Sequence, residues 1–156
     1  QPEIENIFLT EGASQGVHLL LSALIMDKND AIMIPIPQYP LYSASMALLN
    51  GHLVGYYLNE ENGWSLDLPE LERSLADAKR DGGCPRALGI INPGNPTGAV
   101  LDEANIRMVL AFAEAHGLTV LADEVYQANI YRDNAPFVSF RKVLRSMPKE
   151  SKVSPW

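Results

Sequence analysis

The stretch IFLTEGASQGVHLLL reads as a strand, a tight turn and a helix, with Gly12-Ala13-Ser14-Gln15-Gly16 at the bend. Two chemistries suit that pentapeptide. It matches the G-x-S-x-G elbow on which α/β hydrolases mount a nucleophilic serine. A helix opening at Ala13-Ser14 also offers free N–H groups, the positive end of a dipole and a hydroxyl, which together make a phosphate site. The hydrolase reading demands an acid and then a histidine after the serine. The histidines are His18, His52 and His116, and none follows Asp123. A triad of Ser14, Asp102 and His116 is formally available, but Asp102 is better placed to cap a helix and His116 to complement the dipole at that helix's end. Ser14 is therefore read as a donor to an anion, and only a histidine outside the chain would restore the elbow. Neither G-x-G-x-x-G nor G-x-x-x-x-G-K-[ST] occurs, which sets aside dinucleotide and P-loop sites.

Three further loops carry reactive or polar groups. INPGNPTG contains Asn95 in Asn-Pro-Thr-Gly, ADEVYQANIY contains Asp123 and Tyr126, and PIPQYPLY contains Tyr39. Taken singly, each has a plain reading: a turn rich in Asn, Pro and Gly, a capping or surface carboxylate, a packing tyrosine. Taken together at successive strand ends they complement one molecule. The Gly12-Ala13-Ser14 turn would take a phosphate, Asp123 a heteroaromatic N–H⁺, Asn95 and Tyr126 a phenolate oxygen, and Tyr39 a flat ring. A ring needing phosphate, pyridinium and phenolate contacts is pyridoxal 5′-phosphate. No metal-ligand spacing is present, and the single cysteine, Cys84 between Gly83 and Pro85, reads as an incidental loop residue that fits a reducing compartment.

The elements that must position these groups follow from periodicity. After a strand at the IFLT stretch, Ser14 to Ile25 is apolar on most faces, as in a helix buried against a sheet. Ala31 to Pro35 and His52 to Leu58 are strands, with Leu41 to Leu49 helical between them. Asp67 and Pro69 open a helix that Gly82-Gly83 ends, ALGIIN is the next strand, Asp102 caps a helix that stops at Gly117, and Leu118 to Asp123 is a strand. This alternation predicts an α/β fold with a mostly parallel sheet flanked by helices, whose ligands sit at the carboxyl ends of the strands. With 156 residues, 47% of them hydrophobic, one compact unit is expected. Nineteen acidic against 12 basic residues, a formal charge of -7, argue against nucleic acid as partner. The longest apolar run, around Val17 to Met26, contains His18 and Ser22 and is too short to span a bilayer.

The segments LTEGASQGV, PIPQYPLY, INPGNPTGAVL and ADEVYQANIY together resemble the class I, fold-type I pyridoxal-phosphate-dependent aminotransferases, and among these they are most similar to the alanine-using branch. The resemblance runs to about SFRKVL, with the four motifs in the family's order. It implies that Gly12, Ala13 and Ser14 cradle the phosphate, that Tyr39 stacks on the pyridine, and that Asn95 and Tyr126 contact the ring oxygen O3′. Asp123 would keep the ring nitrogen protonated, so that the ring can accept the electron pair left when the substrate's Cα proton departs. The activity implied is amino transfer between L-alanine and 2-oxoglutarate, giving pyruvate and L-glutamate, with small-molecule partners, no nucleic acid or membrane, and a homodimer in the full-length protein.

The family also needs a lysine for the Schiff base, placed after an apolar strand downstream of Tyr126. No such strand occurs, and Lys149 and Lys152 lie in the polar stretch MPKESKV, where surface lysines are expected. Arg141 and Lys142 read as a solvated helix face. The expected organisation is thus residues 1–146 as part of a large cofactor-binding domain and 147–156 as an irregular tail. The N-terminal region, the lysine segment and the small domain with its carboxylate-binding arginine would lie elsewhere in a longer protein. The fragment alone is expected to be inactive. A shortened, non-catalytic product associating with a full-length subunit is the second reading, and related enzymes with other amino-acid substrates a third. Cytosol is the expected compartment, with the mitochondrial matrix kept open.

Overall fold

The computed structural model describes residues 4–148. Lys149, Lys152 and most of the expected tail fall outside the described residues. After a short 3-10 turn, Ile4–Asn6, the chain runs α1 (Ala13–Leu24), β1 (Asp30–Ile36), α2 (Leu41–Leu48), β2 (His52–Tyr57), α3 (Leu68–Arg80), β3 (Cys84–Ile91), α4 (Glu103–His116), β4 (Thr119–Asp123) and α5 (Phe140–Ser146). The four strands form one sheet in the order β2-β1-β3-β4, and every pairing is parallel. Parallel strands bury both faces. Along β1 the alternation is visible residue by residue: Ala31 and Met33 enter the core shared with α3, α4 and α5, whereas Ile32 and Ile34 enter the core shared with α1 and α2.

The helix boundaries follow local chemistry. Asp102 Oδ1 accepts from Asn105 N at 2.8 Å, satisfying one orphan donor of α4, and Gly117 ends that helix at φ 66°, a left-handed position that suits glycine. Asp67 stands at the N-cap position of α3 as expected, but its side chain accepts from Asn59 Nδ2 at 2.7 Å and makes no cap bond. Arg141 and Lys142 are exposed on α5, as a solvated face requires.

Two expectations need correction. The IFLT stretch is irregular, and Ile7, Phe8 and Leu9 are exposed, because neither edge of the described sheet receives it and an unpaired extended segment forms no ladder. α1 is not buried on most faces: Leu21 is fully buried, but Leu19 and Leu20 are half exposed, since the sheet and α2 cover only one side.

At the edge where the strands begin, Asp30 is 2% exposed and accepts three bonds: Met26 N at 2.8 Å and Asp27 N at 3.2 Å on Oδ2, and Arg86 Nε at 2.6 Å on Oδ1. The Met26 N–H first, and then Arg86, hold its carboxyl below the ordinary aspartate range. A carboxylate lowered by folding stabilises the native state above its unfolded pKa and loses that contribution as pH falls through the folded value. Asp30→Asn is therefore expected to lower the urea midpoint at pH 7, with the difference from wild type shrinking below about pH 4. An unchanged midpoint at pH 7 would refute the assignment.

Candidate functional site

The carboxyl ends of all four parallel strands emerge on one edge of the sheet, opposite Asp30. Asp123 is the last residue of β4 and is partly buried. Its Oδ2 accepts from the Tyr42 hydroxyl at 3.0 Å and its Oδ1 from Val125 N at 3.2 Å. An ionised carboxylate has about four acceptor positions, so these two donors leave capacity on both oxygens. Asp123 borders an open cleft of about 340 Å³, whose walls include Ala13, Gly16 and Leu20 of α1, Tyr42 of α2, and Val125. The first turn of α1 and the acid at the end of β4 thus share one cleft.

The turn before α1 carries the expected cradle residues, and in it Gly12 N donates to Thr10 O at 2.8 Å. Gly12 holds φ 87°, and a Cβ built there would meet nothing within 4 Å, so the approach is open. No side chain caps the helix, and the first-turn N–H groups that have no intrahelical acceptor remain available. Ser14 is exposed beside them and lies next to the cleft wall at Ala13 without lining it.

Asn95 and Tyr126 meet directly: Asn95 Nδ2 donates to the Tyr126 hydroxyl at 3.1 Å. They come from different strand ends, and Asn92 N, donating to Asp123 O at 2.9 Å, ties those ends together. Asn95 lines a separate small cavity of about 20 Å³ with Pro37, Trp64 and Thr97, behind the loop. Tyr39 is 49% exposed in the loop after β1 and is not part of the cleft wall. Among the expected site residues, therefore, Ala13 and Asp123 converge on the cleft, Asn95 and Tyr126 form a linked pair, and Gly12, Ser14 and Tyr39 flank them.

Three residues of this edge escaped the sequence reading. Tyr42 is fully buried between the sheet and α2, and burial first, then the Asp123 charge, push its hydroxyl's pKa far above the usual tyrosine value, so it remains a donor. The available signal was a tyrosine inside an apolar helix, whose hydroxyl must find a partner. Asn92 is fully buried, and its Oδ1 accepts from Leu101 N at 2.9 Å, closing the loop that presents Asn95. Glu124 accepts from Phe140 N at 2.7 Å and so anchors the start of α5 to the residue after Asp123. Within the loop, a Cβ at Gly94 would stand 2.5 Å from Thr97 Oγ1, so any larger residue there would push the Thr97 side chain aside.

No group of three or more His, Cys, Asp and Glu residues capable of holding a metal ion occurs among the described residues. None of the described helices is long and apolar enough to cross a membrane. The residues bordering the cleft fit an amphipathic ligand with an anionic tail and a protonated ring nitrogen: the uncapped first turn of α1, the Asp123 carboxylate with spare acceptors, and apolar side chains such as Val17, Leu20 and Leu121, with Glu124 adding a second acid to the lining. None of Lys28, Lys79 and Lys142, the lysines within the described residues, lines the cleft.

The model of the family "Aminotransferase class I and II" matches residues 2–150. Alanine aminotransferase 1, mitochondrial, of Arabidopsis thaliana is 56% identical over 142 residues, covering 91% of this chain and 26% of the relative. Glutamate–glyoxylate aminotransferase 1 of the same plant is 54% identical over 143 residues, covering 92% of this chain and 30% of the relative. Among solved structures, an alanine aminotransferase from Pyrococcus furiosus superposes with a TM-score of 0.73 at 26% identity, over 85% of this chain and 31% of that one. The chain thus spans between a quarter and a third of the length of the relatives it matches.

The Glu124 contact yields a test with a definite sign. Desolvation is the larger influence and raises its pKa, opposed by the Phe140 N–H. An acid raised by folding weakens the native state when ionised, and that penalty disappears as pH falls below the unfolded value. Glu124→Gln keeps the acceptor without the charge and is expected to hold or increase stability at pH 7, flattening the dependence between about pH 4 and 7. Glu124→Ala loses the anchor of α5 and is expected to cost about 1 kcal/mol in urea unfolding. Equal losses for both variants would exclude a role through the acceptor.

Proposed function

The chain belongs to the class I and II aminotransferases, and on that premise we propose that the protein carrying it transfers an amino group between L-alanine and 2-oxoglutarate, using pyridoxal 5′-phosphate. One observation carries this reading: the carboxylate at the end of β4 and the uncapped first turn of α1 border the same cleft. The likeness to an alanine aminotransferase at 56% identity supports the choice of amino donor. The relative named for glutamate and glyoxylate, at 54%, supports glyoxylate as the competing acceptor. Residues 1–146 would be part of the cofactor-binding domain of that longer protein.

When bound, the cofactor supplies a carbonyl to hold the amino group and a protonated ring to take up the electron pair released with the Cα proton. The residues of this chain would bind and orient. The N–H groups of Ala13 and Ser14, with the Ser14 hydroxyl, would bind the phosphate, aided by the positive end of the α1 dipole, while Gly12, whose own N–H donates to Thr10 O at 2.8 Å, leaves the approach open. Asp123 holds a proton on the ring nitrogen by pairing with the cation. Tyr126 and Asn95, already bonded to each other, donate to the ring oxygen, and Tyr39 stacks against the ring face. The proton carried at the substrate's Cα requires a lysine amine, which the described cleft wall does not contain.

The reading extends to a homodimer and to a cytosolic or mitochondrial-matrix location. The Arabidopsis relative named as mitochondrial supports a mitochondrial location, and a single cysteine requires no oxidising compartment.

The test uses the full-length protein with pyridoxal phosphate. Alanine-dependent pyruvate formation with 2-oxoglutarate is expected, and Asp123→Ala is expected to lower kcat by about 10²- to 10³-fold. The 156-residue chain assayed alone should form no pyruvate. Pyridoxal phosphate binding without alanine turnover would refute the substrate, faster turnover of glutamate with glyoxylate would reassign it, and failure to bind the cofactor would refute the whole reading.

A further inference from the structure

We propose that Tyr42 is a positioning residue for the cofactor: its hydroxyl, delivered from α2, orients the Asp123 carboxylate so that the acceptor positions left over serve a protonated ring nitrogen in the cleft. This rests on the pyridoxal phosphate reading above and assigns a further residue to that site.

The geometry separates what holds Tyr42 from what Tyr42 holds. Its ring is 1% exposed and packs in the core cluster that includes Ile32, Ile34, Met46 and Leu121. Packing, not the hydrogen bond, therefore sets where the hydroxyl stands. That hydroxyl reaches Asp123, 81 residues further along the chain, at 3.0 Å. The other donor to the carboxylate, Val125 N at 3.2 Å, belongs to the adjoining turn and moves with it. Tyr42 is thus the tie from another element of the fold, and it fixes the carboxylate against rotation about its side-chain bonds. One donor on each oxygen leaves each with a free acceptor position. Burial beside a carboxylate keeps the phenol protonated, so Tyr42 acts by donation and takes no part in proton transfer.

Tyr56 supplies an internal comparison. It is equally buried and donates to Gly89 O at 2.8 Å, but on the opposite face of the sheet, in the core formed with α3, α4 and α5. Removing its hydroxyl costs a buried hydrogen bond without touching Asp123.

The experiment compares the full-length holoenzyme with its Tyr42→Phe, Tyr56→Phe, Asp123→Ala and Tyr42→Phe/Asp123→Ala variants. Two quantities are read: the dissociation constant for pyridoxal phosphate and the visible absorption of the bound cofactor. Tyr42→Phe keeps the packed ring and is expected to weaken cofactor binding about tenfold and to alter the absorption band. Tyr56→Phe should leave both unchanged. In the Asp123→Ala background, adding Tyr42→Phe should weaken binding no further, because the group through which Tyr42 acts is gone. Wild-type affinity in Tyr42→Phe, or the same loss with and without Asp123, would overturn the proposal. A wild-type protein that binds no pyridoxal phosphate would overturn instead the reading on which it rests.

Discussion

Parallel pairing is the constraint on which the arrangement depends. Strands that all run one way deliver all their carboxyl ends to one edge, so loops far apart in sequence become neighbours without any specific attraction between them. Tyr39 follows β1, Asn95 follows β3 and Asp123 ends β4. The pairing of Ile91 with Asp123, continued by Asn92 N to Asp123 O, sets the relative height of the last two. Helix α1, packed through Leu21 on the face that also holds Tyr42, brings its first turn to the same edge. The register thus sets where the backbone at Asn92 and Asp123 stands along that edge.

The two edges of the sheet use the same residue type for opposite ends. Asp30, where the strands begin, accepts three bonds and pairs with Arg86, leaving little capacity for anything else. Asp123, where they end, accepts two bonds from neutral donors and has no cation beside it among the described contacts. A carboxylate satisfied by its own fold stabilises that fold. One that is held in orientation but left without a cation can pair with a charge brought by a ligand, which is how functional acids differ from structural ones.

Legibility in the sequence follows the range of the interaction. The strand and helix alternation, the caps at Asp102 and Gly117, and the loops bearing Asn95 and Asp123 are local patterns, and all lie where periodicity and turn chemistry place them. The IFLT stretch carries the same local pattern and yet forms no strand, because a strand is completed only by a partner that local pattern cannot supply. Tyr42 is legible only by half: a tyrosine in the apolar helix PLYSA signals a hydroxyl that needs a partner, but the partner lies 81 residues away and no local pattern identifies it. Asn92 and Glu124 stand beside recognised motif residues, but their acceptors serve the backbone of Leu101 and Phe140, contacts that depend on where α4 and α5 come to rest.

The buried hydroxyl of Tyr42 also explains how such an edge can be both polar and rigid. An unsatisfied carboxylate at a sheet end would be free to turn toward water, since its rotamers differ by little when nothing packs against the oxygens. Supplying a donor from a packed ring costs the tyrosine its hydration, and that cost is recovered only while the carboxylate stays in place. The two groups therefore stabilise each other's position before any ligand arrives. Orientation prepared in this way, during folding and by residues that never touch the reacting atoms, reduces the ordering that binding would otherwise have to bring about.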